Sequence, residues 1–106
     1  MNDFSDILSR AKKMKDEMQK AQESIKKIQV EGVSGGNLVK VILRGDYEMK
    51  SIIISDEAKK EKEEIVNDLI KAAYNNAKEK LKKRSSEELL KVTGGVNLPF
   101  DLKFPL

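Results

Sequence analysis

Neither cysteine nor histidine occurs in the 106 residues of this chain, and tryptophan is also absent. Without cysteine there is no disulfide, no thiol nucleophile and no thiolate metal site. Without histidine the commonest general base and metal ligand near neutral pH is missing. Aromatic residues make up only 5% of the chain, which leaves few platforms for stacking single-stranded bases. No apolar run approaches the ~18 residues of a transmembrane helix. The opening MNDFSDILSR has no apolar stretch of signal-peptide length. A cytoplasmic protein without a membrane partner is expected.

What the chain has in quantity is charge. Asp, Glu, Lys and Arg make up 37% of it, well above the roughly 25% of an ordinary soluble domain. The net charge is only +3, so binding to an anionic polymer has to be argued from patterning. The length suits one domain with a modest core. Stability is therefore expected to draw on a partner subunit.

The first segment is the most regular. Phe4, Ile7, Ala11, Met14, Met18, Ala21, Ile25 and Ile28 follow one another at alternating steps of 3 and 4 residues. That is a heptad seam, and it predicts a helix from about 4 to 28. At 1.5 Å per residue such a helix spans roughly 37 Å, too long to bury against a core built from the rest. Part of it is expected to project or to pair with a second copy. Met14 and Met18 make the seam soft and adaptable.

Three β-branched segments follow, at about 29–33, 38–44 and 48–54. SGGN and GDY separate them, and both are hairpin-type connections. A three-stranded antiparallel meander is predicted. In its middle strand Val39, Val41 and Leu43 share one face, and Leu38 and Ile42 share the other with Lys40 and Arg44. Apolar residues on both faces imply cover on both sides, one layer from a helix and the other from a partner subunit.

Ser55 then reads as an N-cap, with Asp56 and Glu57 at the positive end of the helix dipole. Ile65, Val66, Leu69, Ile70, Ala73, Ala77 and Leu81 trace an apolar stripe. A second helix is predicted from about 56 to 83. Ser85 with Glu88 has the form of a capping box, which marks either a short third helix or a kink. The tail NLPFDLKFPL alternates Leu98, Phe100, Leu102, Phe104 and Leu106 with less apolar positions. It reads as an extended segment with one greasy edge. It is expected to dock on the core or on a partner.

The glycines in VEGVSGGNLVKV do not form a phosphate loop. Gly36 is followed by Asn37 and Leu38, where that motif needs Lys and then Ser or Thr, and a strand follows in place of a helix. A turn needing positive φ explains Gly35 and Gly36 better. Glu61, Glu63 and Glu64 alternate with Lys59, Lys60 and Lys62, the pattern of a solvated helix face. No catalytic set, cofactor or small-molecule substrate is indicated, and an enzyme is not expected.

Basic residues are unevenly placed. Arg10, Lys12, Lys13, Lys15, Lys20, Lys26 and Lys27 outnumber the acids of the first helix. Lys78, Lys80, Lys82, Lys83, Arg84 and Lys91 outnumber those near the end of the second. Both runs suit surfaces that track a phosphate backbone, where each contact releases counterions.

Taken in order, these segments resemble the YbaB/EbfC nucleoid-associated proteins of bacteria. The resemblance rests on AKKMKDEMQKAQESIKKIQVEG, VEGVSGGNLVKVILRGDYEMKSIIIS, IVNDLIKAAYNNAKEKLKK and VTGGVNLPFDLKFPL, and it covers nearly the whole chain. It implies a cytoplasmic, nucleoid-associated homodimer that binds double-stranded DNA between projecting helices. The positions that match the family's implicated helices are Lys12, Lys13, Lys15, Lys20, Lys26 and Lys27, with Lys80, Lys82, Lys83 and Arg84. Met14, Met18, Ile25, Ile28, Leu38 and Ile42 are the expected dimer interface.

The expected architecture is therefore α+β and intertwined as a homodimer. It has a projecting helix over about 1–28, a sheet over 29–55, a helical region over 56–92 and an extended tail over 93–106. An adaptor or chaperone-like clamp using the Met-lined seam is the alternative reading. Salt dependence separates the two.

Overall fold

A computed structural model describes residues 3–92 of the chain. The predicted tail, 93–106, lies outside the described residues. The element order is α1 (Asp3–Lys26), β1 (Gln29–Ser34), β2 (Val39–Arg44), β3 (Met49–Ile54), α2 (Asp56–Lys59) and α3 (Glu63–Val92). The class is α+β, with a three-stranded antiparallel sheet in the order β1-β2-β3.

The two glycines of the first hairpin answer the phosphate-loop question. Gly35 and Gly36 have φ of +57° and +77°, a conformation that glycine reaches without the penalty of a Cβ. They turn the chain so that Ser34 pairs with Val39 and Gly32 with Val41. Leu38 belongs to this turn, ahead of β2, and packs against the core. That corrects its expected place on the open face. The second hairpin turns through Tyr47, a non-glycine residue at φ 66°. Its Arg44 N–H donates to the Glu48 carbonyl at 2.9 Å. Just beyond it the β2–β3 register shifts by one residue, at Lys50, a bulge that twists the edge strand.

Val39, Val41 and Leu43 are fully buried and face α3. Their neighbours in β1 on this face are Val30, Gly32 and Ser34. On α3, Ala73, Ala77, Leu81, Ser85 and Leu89 are buried at every fourth position. The small residues Ala73 and Ala77 stand over Gly32, where a Cβ would meet the helix backbone. Strand and helix thus approach closely because neither carries a bulky side chain at the contact.

The helical region departs from the predicted boundaries. Ser55 caps α2 as expected, its Oγ accepting from the Ala58 N–H at 3.1 Å, but α2 ends at Lys59. Between Ala58, which is fully buried, and Ile65 there is no apolar residue to hold a continuous helix on the sheet. The chain breaks there and restarts at Glu63. It then runs 30 residues through Ser85 without interruption. Ser85 is buried mid-helix, not at a cap, so the predicted boundary near 83–85 does not occur.

Specific bonds orient α3 along the sheet. Ser34 Oγ donates to the Leu69 carbonyl at 2.6 Å, and the Val33 N–H donates to Asn76 Oδ1 at 3.0 Å. Lys80 Nζ donates to the Glu31 carbonyl at 2.8 Å. Rising numbers on α3 meet falling numbers on β1, so α3 runs antiparallel to β1. α3 also packs against α1. Gly45 fixes the end of α1, since its backbone lies directly against the Ile25 carbonyl.

The result is long and narrow, at 73 × 20 × 18 Å. Its radius of gyration is 19.1 Å, where about 13 Å is usual for a compact domain of ~100 residues. Only Ala21 and Ile25 of α1 are buried. The seam is therefore covered at its C-terminal end and bare at its N-terminal end, and the helix projects.

Candidate nucleic-acid interface

All ten cations expected to face a phosphate backbone are exposed: Lys12, Lys13, Lys15, Lys20, Lys26 and Lys27, and Lys80, Lys82, Lys83 and Arg84. Their exposure has a simple cause. On α3 the apolar stripe faces inward and the intervening Lys and Arg positions face water, while Lys12, Lys13 and Lys15 lie on the part of α1 that projects.

The cations do not form one patch. Lys80, Lys83 and Arg84 sit at i, i+3 and i+4 on one flank of α3. With Gln29, Val30, Glu31 and Glu87 they line a groove of about 480 Å³ where β1 meets α3. Lys80 is anchored there by its bond to the Glu31 carbonyl. At 100° per residue, Lys82 points to the opposite flank, together with Lys78. The adjacent pair Lys82 and Lys83 is thus split between two surfaces. On α1, Lys13 and Lys20 lie seven residues apart on one line, whereas Lys12 lies about 100° round from Lys13 and Lys15, seven residues after Leu8, borders the apolar stripe.

Two acids temper the groove. Glu31 has its carboxylate on Lys40, with Oε1 at 2.6 Å from Nζ, and Glu87 lines the wall. Sequence reasoning missed both, together with Asn76. Glu87 was legible as the residue four after Lys83 on a helix. Glu31 became part of the groove only through strand pairing. Asn76 covers the Val33 N–H on the outer edge of β1, a task that no local pattern announces.

The residues expected at a dimer interface are dispersed. Ile25 and Ile28 are buried in the protomer's own core, and Leu38 packs against it. Met18 is half-buried and Met14 is exposed on α1. Ile42 is half-buried on the sheet face away from α3. The β3 edge also exposes apolar side chains: Ile53 is 53% exposed, with Met49 and Ile52 at 40% each. The edges differ in kind. Asn76 and Lys80 cover the outer edge of β1, whereas β3 presents isoleucines to solvent.

Tyr47, packed near Tyr74, has its phenol pKa raised above the ordinary value by burial first and then by Tyr74 and Glu79. Its hydroxyl therefore stays neutral beside α3. No helix among the described residues is long and apolar enough to cross a membrane.

These features define a small α+β protein whose long helices carry exposed cations past the end of a sheet. The chain belongs to the YbaB/EbfC DNA-binding family, whose model matches residues 1–96. It is 40% identical over 106 residues to a nucleoid-associated protein of Agrobacterium fabrum, covering 99% of each chain. It is 38% identical over 107 residues to a nucleoid-associated protein of Francisella tularensis, covering 97% of this chain and 96% of that one. A nucleoid-associated protein of Bartonella bacilliformis is 37% identical over 106 residues, with 99% and 98% covered.

Proposed function

We propose that this protein binds duplex DNA as a homodimer, mainly through phosphate contacts, and acts in the bacterial nucleoid. The observation that carries the reading is the exposure of all ten cations, nine of them on α1 and α3 and Lys27 in the turn that follows α1. Family membership supports it independently. Each Lys or Arg that neutralises a phosphate releases a counterion, which drives binding without reading sequence. Arg84 is the one guanidinium among the ten, so bidentate reading of guanine has little to work with. Weak sequence preference follows, as suits a protein that coats or organises DNA. Any effect on transcription would come through that architecture.

The homodimer is supported by the bare side of the sheet. An edge strand with exposed isoleucines beside a half-buried Ile42 is a surface that soluble proteins normally cover. Pairing two copies there would set two helical arms on one body, spaced to hold a duplex between them.

Fluorescence anisotropy with a random-sequence duplex at several salt concentrations tests the proposal. Micromolar or tighter binding that weakens steeply with salt is expected. Binding that ignores salt, or none at low salt, would favour the adaptor reading.

A further inference from the structure

α1 carries a second feature that DNA binding does not use. Phe4, Ile7, Leu8 and Met14 are 73%, 61%, 55% and 48% exposed. With Ala11 and the half-buried Met18 they form the bare end of a seam whose other end is buried at Ala21 and Ile25. A continuous apolar stripe on a projecting helix marks an interaction surface.

The spacing of the stripe says what it fits. Its steps of 3 and 4 average 3.5 residues, the repeat with which one helix packs along another in a coiled coil. In heptad terms Phe4, Ala11 and Met18 occupy position a, and Ile7 and Met14 occupy position d. Arg10 and Glu17 occupy position g, beside the seam. Two antiparallel copies of such a helix set a opposite d, and two registers keep the bare stretches in contact.

Size and charge choose between them. In one register Phe4 faces the partner's Met14, Arg10 faces the partner's Arg10, and Asp3 faces the partner's Glu17. Like charges then meet on both flanks. In the other, Ile7 faces the partner's Met18, and the small Ala11 faces the long Met14 of the partner subunit. Arg10 then lies beside the partner's Glu17, and symmetry makes this opposite-charge pair twice. The adaptable methionines fill the space left by the alanines. We propose that the bare end of α1 pairs antiparallel with the same segment of a second copy, with Ile7 on the partner's Met18 and Arg10 beside the partner's Glu17.

The helix needs no assembly for this contact. It is already formed and anchored in the core at Ala21 and Ile25, so the cost of nucleating a short helix does not arise. The contact is short and therefore weak between free molecules. It gains where a shared duplex holds copies together at an effective concentration of order millimolar. A homodimer built across the sheet keeps one bare α1 on each copy, so these ends would link homodimers in a row. That consequence rests on the DNA-binding homodimer proposed above, whereas the pairing itself does not.

A chain free of cysteine allows a direct test in the full-length protein. Ile7→Cys is combined with Met18→Cys. The two thiols cannot join within one helix, where they stand about 16 Å apart, because a disulfide needs Cα atoms within about 7 Å. Ser9→Cys with Asp16→Cys, each about 200° around the helix from the first pair, is the control. Concentrated protein is mildly oxidised, alone and on a long random-sequence duplex, and the disulfides are mapped by peptide mass. Disulfides from 7 to 18 between chains, forming about ten-fold faster than in the control, are expected, and the duplex should speed them further. Disulfides from 7 to 7 or from 18 to 18 would mean parallel pairing, and rates equal to the control would mean no pairing. Either result overturns the proposal. Disulfides from 7 to 18 that the duplex does not speed would support the pairing and count against the DNA reading. Charge exchange gives an independent check in the same cysteine background. Arg10→Glu should slow the disulfide several-fold, and Arg10→Glu with Glu17→Arg should restore it. Absence of that rescue would also overturn the proposal.

Discussion

Gly32 lies so close to Ala77 that a Cβ at position 32 would overlap the Ala77 backbone nitrogen and crowd its methyl group. This approach sets the spacing between β1 and α3. Gly32→Ala should force them apart and destabilise the fold by about 1–3 kcal/mol, the usual cost of overpacking. Urea denaturation followed by circular dichroism checks it. Gly36 provides the contrast. It has open space around it but a φ of +77°, so Gly36→Asn, which tolerates that conformation, should change stability by only a few tenths of a kcal/mol, if at all.

Ser85 offers the opposite case. Its hydroxyl is buried within α3 and has no hydrogen-bond partner among the described residues. Ser85→Ala removes the orphaned group and improves helix propensity. It should stabilise the protein by about 0.5–1 kcal/mol. A higher midpoint in the same denaturation experiment is the expected outcome, and a lower one would show that the hydroxyl is satisfied.

These two sites mark what could be read in advance. The meander was legible because β-branched runs and glycine turns are local signals, and its strands differ from expectation by only a residue or so. The heptad seam announced α1 equally well. Its division into a buried end at Ala21 and Ile25 and a bare end at Phe4 and Ile7 was not legible, because the spacing is the same along the whole seam and only tertiary packing distinguishes the two ends. The α2–α3 break was missed for a related reason. The charged stretch 59–64 is compatible with a helix, and only the anchoring of Ala58 in the core shows that it need not be continuous. The cations were identifiable one by one, but their separation into flanks needed an unbroken helix through Ser85.

That separation yields a prediction about DNA. Lys83→Gln with Arg84→Gln alters the β1–α3 groove, and Lys78→Gln with Lys82→Gln alters the opposite flank. If the groove flank faces the duplex, the first pair should lower the salt slope by about 0.9 for each phosphate that is no longer neutralised. The second pair should leave the slope nearly unchanged. Anisotropy titrations between low and moderate salt measure both. Equal effects would mean that both flanks meet DNA.

The dimer prediction rests on the sheet. Ile53 faces away from α3, in the same β3 edge as Met49 and Ile52, and all three are exposed. The core of the protomer lies on the other face, at Val39, Val41 and Leu43, so a charge at position 53 has little to disturb within one copy. Ile53→Lys should therefore leave the monomer fold intact but weaken self-association. Burying an unpaired ammonium at an interface costs several kcal/mol, enough to raise a dimer dissociation constant by a factor of a hundred or more. Sedimentation equilibrium should show the wild type at twice the 12.0 kDa chain mass and the variant shifted towards one. Met14→Asp, on the projecting end of α1, should leave that equilibrium unchanged. If it is Met14→Asp that dissociates the protein while Ile53→Lys does not, the copies meet along the helical arms and not across the sheet.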